Sequence, residues 1–130
     1  WGPRGSDYNR YNDALVMADN LVGENGVTKT KFYLSAGTGL AGQTDMLSYL
    51  REKSGSTEAL SAALTLQVEG GAIEAAMNAC THDFNTKLNS LGVDTYFNKR
   101  PVGTHSWPLW RDDLKVSWEK VIRPALFESE

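Results

Sequence analysis

This chain of 130 residues has two histidines, its first candidates for proton transfer near neutral pH. His105 stands in Gly103-Thr104-His105-Ser106-Trp107-Pro108, between a strand-like run at 93–97 and the last helical stretch. In open α/β sheets the carboxyl ends of the strands face the ligand crevice, and a histidine placed there can act as a general base. A loop histidine hydrogen-bonded to backbone is the plainer alternative. A catalytic imidazole needs a carboxylate on its Nδ1–H to fix tautomer and orientation. Glu74 is the leading candidate, because it opens the helical stretch 73–91 just after Gly70-Gly71-Ala72 and can project from a second strand-to-helix junction. It can equally do no more than complement the positive end of that helix, a gain of about 0.3–1 kcal/mol. Glu69 flanks the same double glycine and is the rival; Asp112 and Asp113, on the final helix, are expected to face solvent.

A nucleophile is missing. The strained elbow G-x-S-x-G occurs nowhere in the chain. Ser35 precedes Ala36-Gly37 but has Tyr33 two positions earlier, and Ser106 directly follows the histidine and is poorly placed to partner it. Cys80, the single cysteine, falls on an apolar helical stripe and reads as a core residue, whereas an activated thiol sits exposed in an electropositive setting. His82 lies off that stripe and reads as a surface or packing residue. No group of Cys, His, Asp and Glu has metal-ligand spacing, so no metal site is expected. Trp107 and Trp110 flank Pro108 beside His105. An indole there can stack on a sugar or cover an acyl chain, although a buried tryptophan in a last helix is as common.

The balance of charge narrows the field. Asp plus Glu number 16 against 13 Lys plus Arg, a formal charge of −3, which argues against a chain built to hold nucleic-acid phosphates. No apolar run approaches the ~18 residues of a membrane span. The length fits one domain or a piece of one. The chain starts at Trp1 with neither an initiator Met nor a signal-peptide pattern, and so reads as a processed, trimmed or cut product that has lost any targeting segment.

The elements that must position these residues follow from spacing. Residues 1–11 read as loop. Asn12 or Asp13 caps a helix over about 12–23, ended by Gly23 and Gly26. Lys31–Leu34 is a short strand that stops at a Gly-rich turn, Gly37-Thr38-Gly39 with Gly42, either a ligand-facing loop or a plain turn. Helices are expected over 44–53 and 57–67, with strand as the alternative near Leu64–Val68. Ile73, Met77, Cys80, Phe84, Leu88 and Leu91 repeat at steps of 4, 3, 4, 4 and 3 and define the clearest helix, stopped by Gly92. Val93–Phe97 is a second strand. Trp107–Phe127 is the last helix, with Pro108 in its first turn, Trp110, Leu114, Trp118, Val121 and Ile122 toward a core, and Pro124 bending or ending it. Helix, strand, helical insert, helix, strand, helix is the order of the α/β class with parallel strands. Two parallel strands alone leave open edges and too little burial. The sheet is therefore expected to be completed by another segment.

Gly103-Thr104-His105-Ser106-Trp107-Pro108-Leu109-Trp110 resembles the histidine segment of the mycolyltransferases, the antigen 85-like family. Trp1-Gly2-Pro3 with Ser6-Asp7, and the path through the first strand into Ser35-Ala36-Gly37-Thr38-Gly39, are similar to that family's course after its central strands. Ile73-Glu74, with Phe84 ten residues on, resembles its acid-bearing segment, and the spacing of 31 from Glu74 to His105 is close to the family's. Asn78-Ala79-Cys80-Thr81 and Trp110-Arg111-Asp112-Asp113-Leu114 look more like the corynebacterial branch.

The resemblance implies the C-terminal part of an α/β-hydrolase fold, residues 1–130 forming part of one domain. It implies a secreted, cell-envelope enzyme without cofactor that moves mycolic acyl groups between trehalose esters, a second trehalose mycolate or arabinogalactan being the acceptor. In the family's order of Ser, then Glu, then His, Glu74 and His105 match the last two members, and Trp107 matches a tryptophan bordering the trehalose site. The serine elbow would lie upstream of Trp1, on an N-terminal segment of the same enzyme, and this chain alone is expected to be inactive. The family's mycobacterial branch carries a cysteine near the Gly-rich turn, where this chain has Ser35 or Ala36. Two other readings stay open: a carboxylesterase on the same fold, and a non-catalytic module that binds envelope sugars.

Overall fold

The computed structural model of the protein describes residues 2–127. Trp1, which opens the first stretch of resemblance, lies outside the described residues. The chain is mixed α/β, mostly helical with a small sheet.

The N-terminal stretch is not all loop. Ser6 accepts from the Asn9 N–H and caps a short helix, α1 (Asp7–Tyr11), with Asp7 in its first turn and Arg10 in its last. Asp13 then caps α2 (Ala14–Met17), accepting from Leu15 and Val16 N–H. The expected single helix over 12–23 is broken here. It tightens into a 3₁₀ turn at Ala18–Leu21 and gives way to a two-residue hairpin, β1 (Val22–Gly23) and β2 (Gly26–Val27). Gly23 and Gly26 thus turn the chain into a hairpin, Gly26 at φ +91°.

β3 (Phe32–Ala36) follows, starting one residue later and ending two residues later than the sequence predicts. A 3₁₀ turn at Gln43–Asp45 leads into α3 (Leu47–Ser54) and α4 (Ser56–Thr65). The strand alternative near Leu64–Val68 is replaced by a π-helical turn at Leu66–Gly70 that runs directly into α5 (Gly71–Ser90). Gly70-Gly71 is therefore not a strand-to-helix junction. Both residues are helical and buried, and they are glycines because backbone approaches them. A Cβ on Gly71 would stand 2.7 Å from the Gly39 carbonyl oxygen, and one on Gly70 would stand 3.4 Å from the His105 nitrogen.

β4 (Thr95–Lys99) lies parallel to β3, with Phe32 opposite Thr95 and Ala36 opposite Lys99. The last helical run comprises α6 (Trp107–Ser117), a π-helical turn at Trp118–Ile122, and α7 (Arg123–Phe127). Pro108 occupies the first turn as expected. Pro124 does not end the helix, because the widened turn just before it carries the chain past the residue that has no N–H to donate, and the Arg123 N–H bonds the Trp118 carbonyl.

One face of β3, with Phe32 and Leu34, packs on a core of Ala18, Leu88 and Val93, joined by Leu21, Phe84 and Leu91. Phe32 meets Phe84 edge to face at 6.4 Å. The other face carries Tyr33 and Ser35, where α6 delivers Asp113. The stripe of α5 is buried only at its C-terminal end. Leu88 is fully covered, but Ile73, Met77 and Cys80 are exposed, which corrects the expectation of a core cysteine. Leu114 and Trp118, expected toward a core, are likewise exposed, while Val121 is buried. A sheet of two strands is too narrow to cover these helix faces. Among the described residues no helix is long and apolar enough to cross a membrane.

Candidate active site

The carboxyl ends of the two parallel strands release the loops that carry the candidate residues. After Ala36 the chain passes through Gly37–Gly42; after Lys99 it passes through Arg100–Ser106. The two loops are bonded to each other: Gly39 N–H donates to the Gly103 carbonyl, Gly103 N–H to Leu40, and the Thr38 hydroxyl to Pro101. The Gly-rich turn is thus a fitted wall of the site. A Cβ on Gly37 would stand 2.7 Å from the Gly103 carbonyl oxygen.

Glu74 rises from the first turn of α5 into this junction and is 5% exposed. Its Oε1 accepts from the Gly37 N–H at 2.7 Å and from Arg100 Nη2 at 3.0 Å. Its Oε2 faces His105 Nδ1 at 3.4 Å, a long contact. The structure brings the two predicted residues together, and of the two rival carboxylates it is Glu74 that faces His105, while Glu69 is exposed and lies outside the cluster. Asn78, one helical turn further on, donates to the Gly37 carbonyl at 2.8 Å and holds the same loop.

The His105 side chain is 41% exposed, with one edge toward Glu74 and one face on Trp110. Its ring meets Trp110 edge to face at 4.6 Å, and Trp110 meets Trp107 at 5.0 Å. Trp107 is 79% exposed at the outer end of this aromatic row, so it is a surface and not a core tryptophan. A cavity of about 220 Å³ opens among Ser35, Glu74, Met77, Arg100, His105 and Trp110.

Two members of the cluster escape the sequence reading. Asp113, expected to face solvent, instead points inward from α6. It accepts from the Ser35 hydroxyl at 2.7 Å, Tyr33 at 3.2 Å and Asn98 at 2.9 Å, and pairs with Arg100. Asp112, its neighbour, is exposed as expected. Its carboxyl is held below the usual range by a hydrogen bond from Lys115, with Arg111 adding to the effect. Arg100 joins the buried carboxylate of Glu74 to the largely covered one of Asp113. The signal for Asp113 was parity. Tyr33 and Ser35 alternate with the core-facing Phe32 and Leu34, so that sheet face is polar and requires a polar partner. Burial pushes the Tyr33 phenol up to about 12, and Asp113 adds to the rise while Asn98 opposes it.

Asp45 is the third residue that sequence reasoning missed. It is 0% exposed and accepts from Gly42 N–H, Thr104 N–H and the Ser106 hydroxyl. No serine hydroxyl is free beside His105 among the described residues: Ser35 is engaged by Asp113 and Ser106 by Asp45. His82 packs edge to face on Phe97 at 4.8 Å, in keeping with a packing role. Among the described residues no cluster could hold a metal ion. Compared with protein-family models and with curated proteins, the chain finds no match.

Proposed function

We propose that this chain supplies the base and the acid of a Ser-His-Glu acyl-transfer relay on an α/β-hydrolase sheet, and that the acyl group is mycolic, moved between trehalose esters and cell-wall acceptors such as arabinogalactan in a secreted, envelope-bound setting. The observation that carries the relay is the buried Glu74 carboxylate facing His105 Nδ1 at 3.4 Å, at the carboxyl ends of two parallel strands. The acyl class rests on the family resemblance alone, of which Gly103–Pro108 is the specific segment. The serine is assigned to a further segment of the same enzyme, in keeping with two strands that leave both sheet edges open and helix faces uncovered.

The steps balance as a ping-pong exchange. The serine oxygen attacks the ester carbonyl and its proton passes to His105 Nε2. Collapse of the tetrahedral adduct breaks the bond to the sugar oxygen, which leaves with that proton. An acceptor hydroxyl then gives its proton to Nε2 and attacks the acyl-enzyme, and the serine oxygen departs and takes the proton back. Glu74 holds Nδ1–H throughout and stabilises the imidazolium. Trp107, exposed beside the row that ends at His105, offers a flat face on which a sugar ring can stack.

The test is product analysis of the chain assembled with the Ser-bearing segment, given a trehalose ester and excess acceptor. Transfer to the acceptor is expected, and His105→Ala is expected to lower it by at least ~10³-fold. Free acid as the only product would favour a carboxylesterase. Full activity in the His105→Ala assembly would remove the relay.

A further inference from the structure

We infer that Asp45 is a positioning residue for His105, a buried clamp that sets the imidazole against Glu74; this rests on the relay reading above. Asp45 sits 29 residues before Glu74 and 60 before His105 in the chain, on the 3₁₀ turn at Gln43–Asp45. Its carboxylate nonetheless grips the residues on both sides of the histidine. Oδ2 accepts from Thr104 N–H at 3.3 Å, and Oδ1 accepts from Ser106 Oγ at 3.0 Å. The clamp is itself fixed. Oδ2 also accepts from Gly42 N–H at 2.9 Å, Asp45 N–H donates to the Gly42 carbonyl at 3.0 Å, and Gln67 donates to the Asp45 carbonyl at 3.1 Å. The histidine's own N–H donates to the Gly70 carbonyl at 3.2 Å, which sets the height of the loop on the helical run but not its rotation.

The chemistry of this site requires an acceptor on every side. All three groups that meet the Asp45 side chain are donors, and a carboxylate is acceptor-only. Thr104 and Ser106 are buried, so neither donor finds water if the carboxylate is lost. His105, between them, is the one residue of the three whose side chain turns outward. Holding 104 and 106 by one carboxylate leaves the intervening residue little freedom, and the long 3.4 Å approach to Glu74 is the contact that such freedom would break first.

The imidazole nitrogens report this directly in the chain as it stands, by nitrogen-detected NMR of the ring. With Glu74 on Nδ1, the neutral ring of His105 is expected as the Nδ1–H tautomer, whereas a free histidine prefers the other. Asp45→Asn is isosteric but places an NH₂ against a donor. It is expected to shift His105 toward the free-histidine pattern with the helical circular-dichroism signal retained. Ser106→Ala removes one arm of the clamp and is expected to shift it part of the way; it carries the test if Asp45→Asn fails to fold. Glu74→Gln separates the two ideas. If Glu74→Gln leaves the tautomer unchanged, the relay reading falls. If Glu74→Gln releases the ring while folded Asp45→Asn, or Ser106→Ala where that variant does not fold, keeps the wild-type pattern, the clamp alone is overturned.

Discussion

Glu74 and Asp113 reach the same guanidinium, that of Arg100, from helices on opposite faces of the sheet. Arg100 is the first residue past β4, so its side chain clears the end of the strand and spans both layers. Its side chain is 13% exposed, and both carboxylates are more deeply buried than half-exposed surface pairs such as Lys31–Asp94. The site is therefore a continuous polar seam: Tyr33, Ser35 and Asn98 on Asp113, then Arg100, then Glu74, then His105. The planar fork of arginine serves two carboxylates at once.

Removing that fork leaves the buried Glu74 and the largely covered Asp113 without their cation. Arg100→Met is expected to lower stability by about 3–5 kcal/mol, the range for breaking a buried pair by deleting one partner. Arg100→Lys restores the charge but not the fork and is expected to recover only part of the loss. Urea unfolding measures both, with Arg111→Ala as the control, since Arg111 pairs with the exposed Asp112 and its loss should leave the midpoint in place. A midpoint for Arg100→Met equal to that of Arg111→Ala would show that the seam carries no load.

The sequence made the strand pair, the long helix and the nearness of Glu74 to His105 legible because each is written in local terms: a β-branched or aromatic run, a 3.6-residue stripe, or a charged residue at the end of an element. Gly70-Gly71 misled because a glycine pair marks either a turn or a close backbone approach, and only the position of Gly39 across the gap decides which. That the helix runs on past Pro124 was not legible for a related reason, since a π-turn five residues long is invisible to a pattern built on 3.6. Asp113 and Asp45 were not read because the contacts that place them cross the fold, from Asp113 to Ser35 over 78 residues and from Asp45 to Thr104 and Ser106 over 59 and 61; parity showed only that the Tyr33–Ser35 face needs a polar partner, not which residue supplies it.

Tyr33 makes the seam sensitive to alkali. Its phenol titrates at about 12 in the folded chain against 10.0 ordinarily, so the folded state binds the proton more tightly than the unfolded state. The stability it contributes is fully present below pH 10 and is lost as pH rises from 10 through 12, where a phenolate would stand against Asp113. Ultraviolet titration of the native chain is expected to show one late-ionising tyrosine. In Tyr33→Phe that late step should be missing, and the decline in stability between pH 10 and 12 should be shallower than in the parent. An unchanged late step in the variant would assign it to another residue.

Gly39 and Gly71 are a backbone-to-backbone contact between the loop after β3 and the start of α5. Gly39 adopts φ +83°, and a Cβ there would collide with the Gly71 carbonyl and crowd Ala75. Gly39→Ala therefore meets both strain and overpacking, and is expected to cost about 1–3 kcal/mol from packing alone. Gly55, at the same φ of +83°, has open space around it. Gly55→Ala meets backbone strain without a clash, since Gly55 sits at φ 83° and ψ 175°, a region essentially reserved for glycine, at a cost of about 1–3 kcal/mol. Thermal unfolding of the two variants should rank Gly39→Ala below Gly55→Ala; the reverse order would mean that the loop and the helix are not in contact.

Cys80 reports on the uncovered face of α5. It lines an open cavity of about 520 Å³ with Leu15, Leu34, Met77 and Phe84, between α2 and α5. A soluble thiol reagent is therefore expected to label it in the native chain without denaturant, with one equivalent taken up because the chain has one cysteine. Cys80→Ser should change the unfolding midpoint little, since no buried thiol is lost. The same residue then becomes a gauge of completion: a segment that extends the sheet and covers Met77 and Cys80 should slow labelling, in proportion to the fraction of chain assembled. Labelling that requires unfolding from the outset would place Cys80 in a core after all, and with it the α5 stripe that the two strands leave bare.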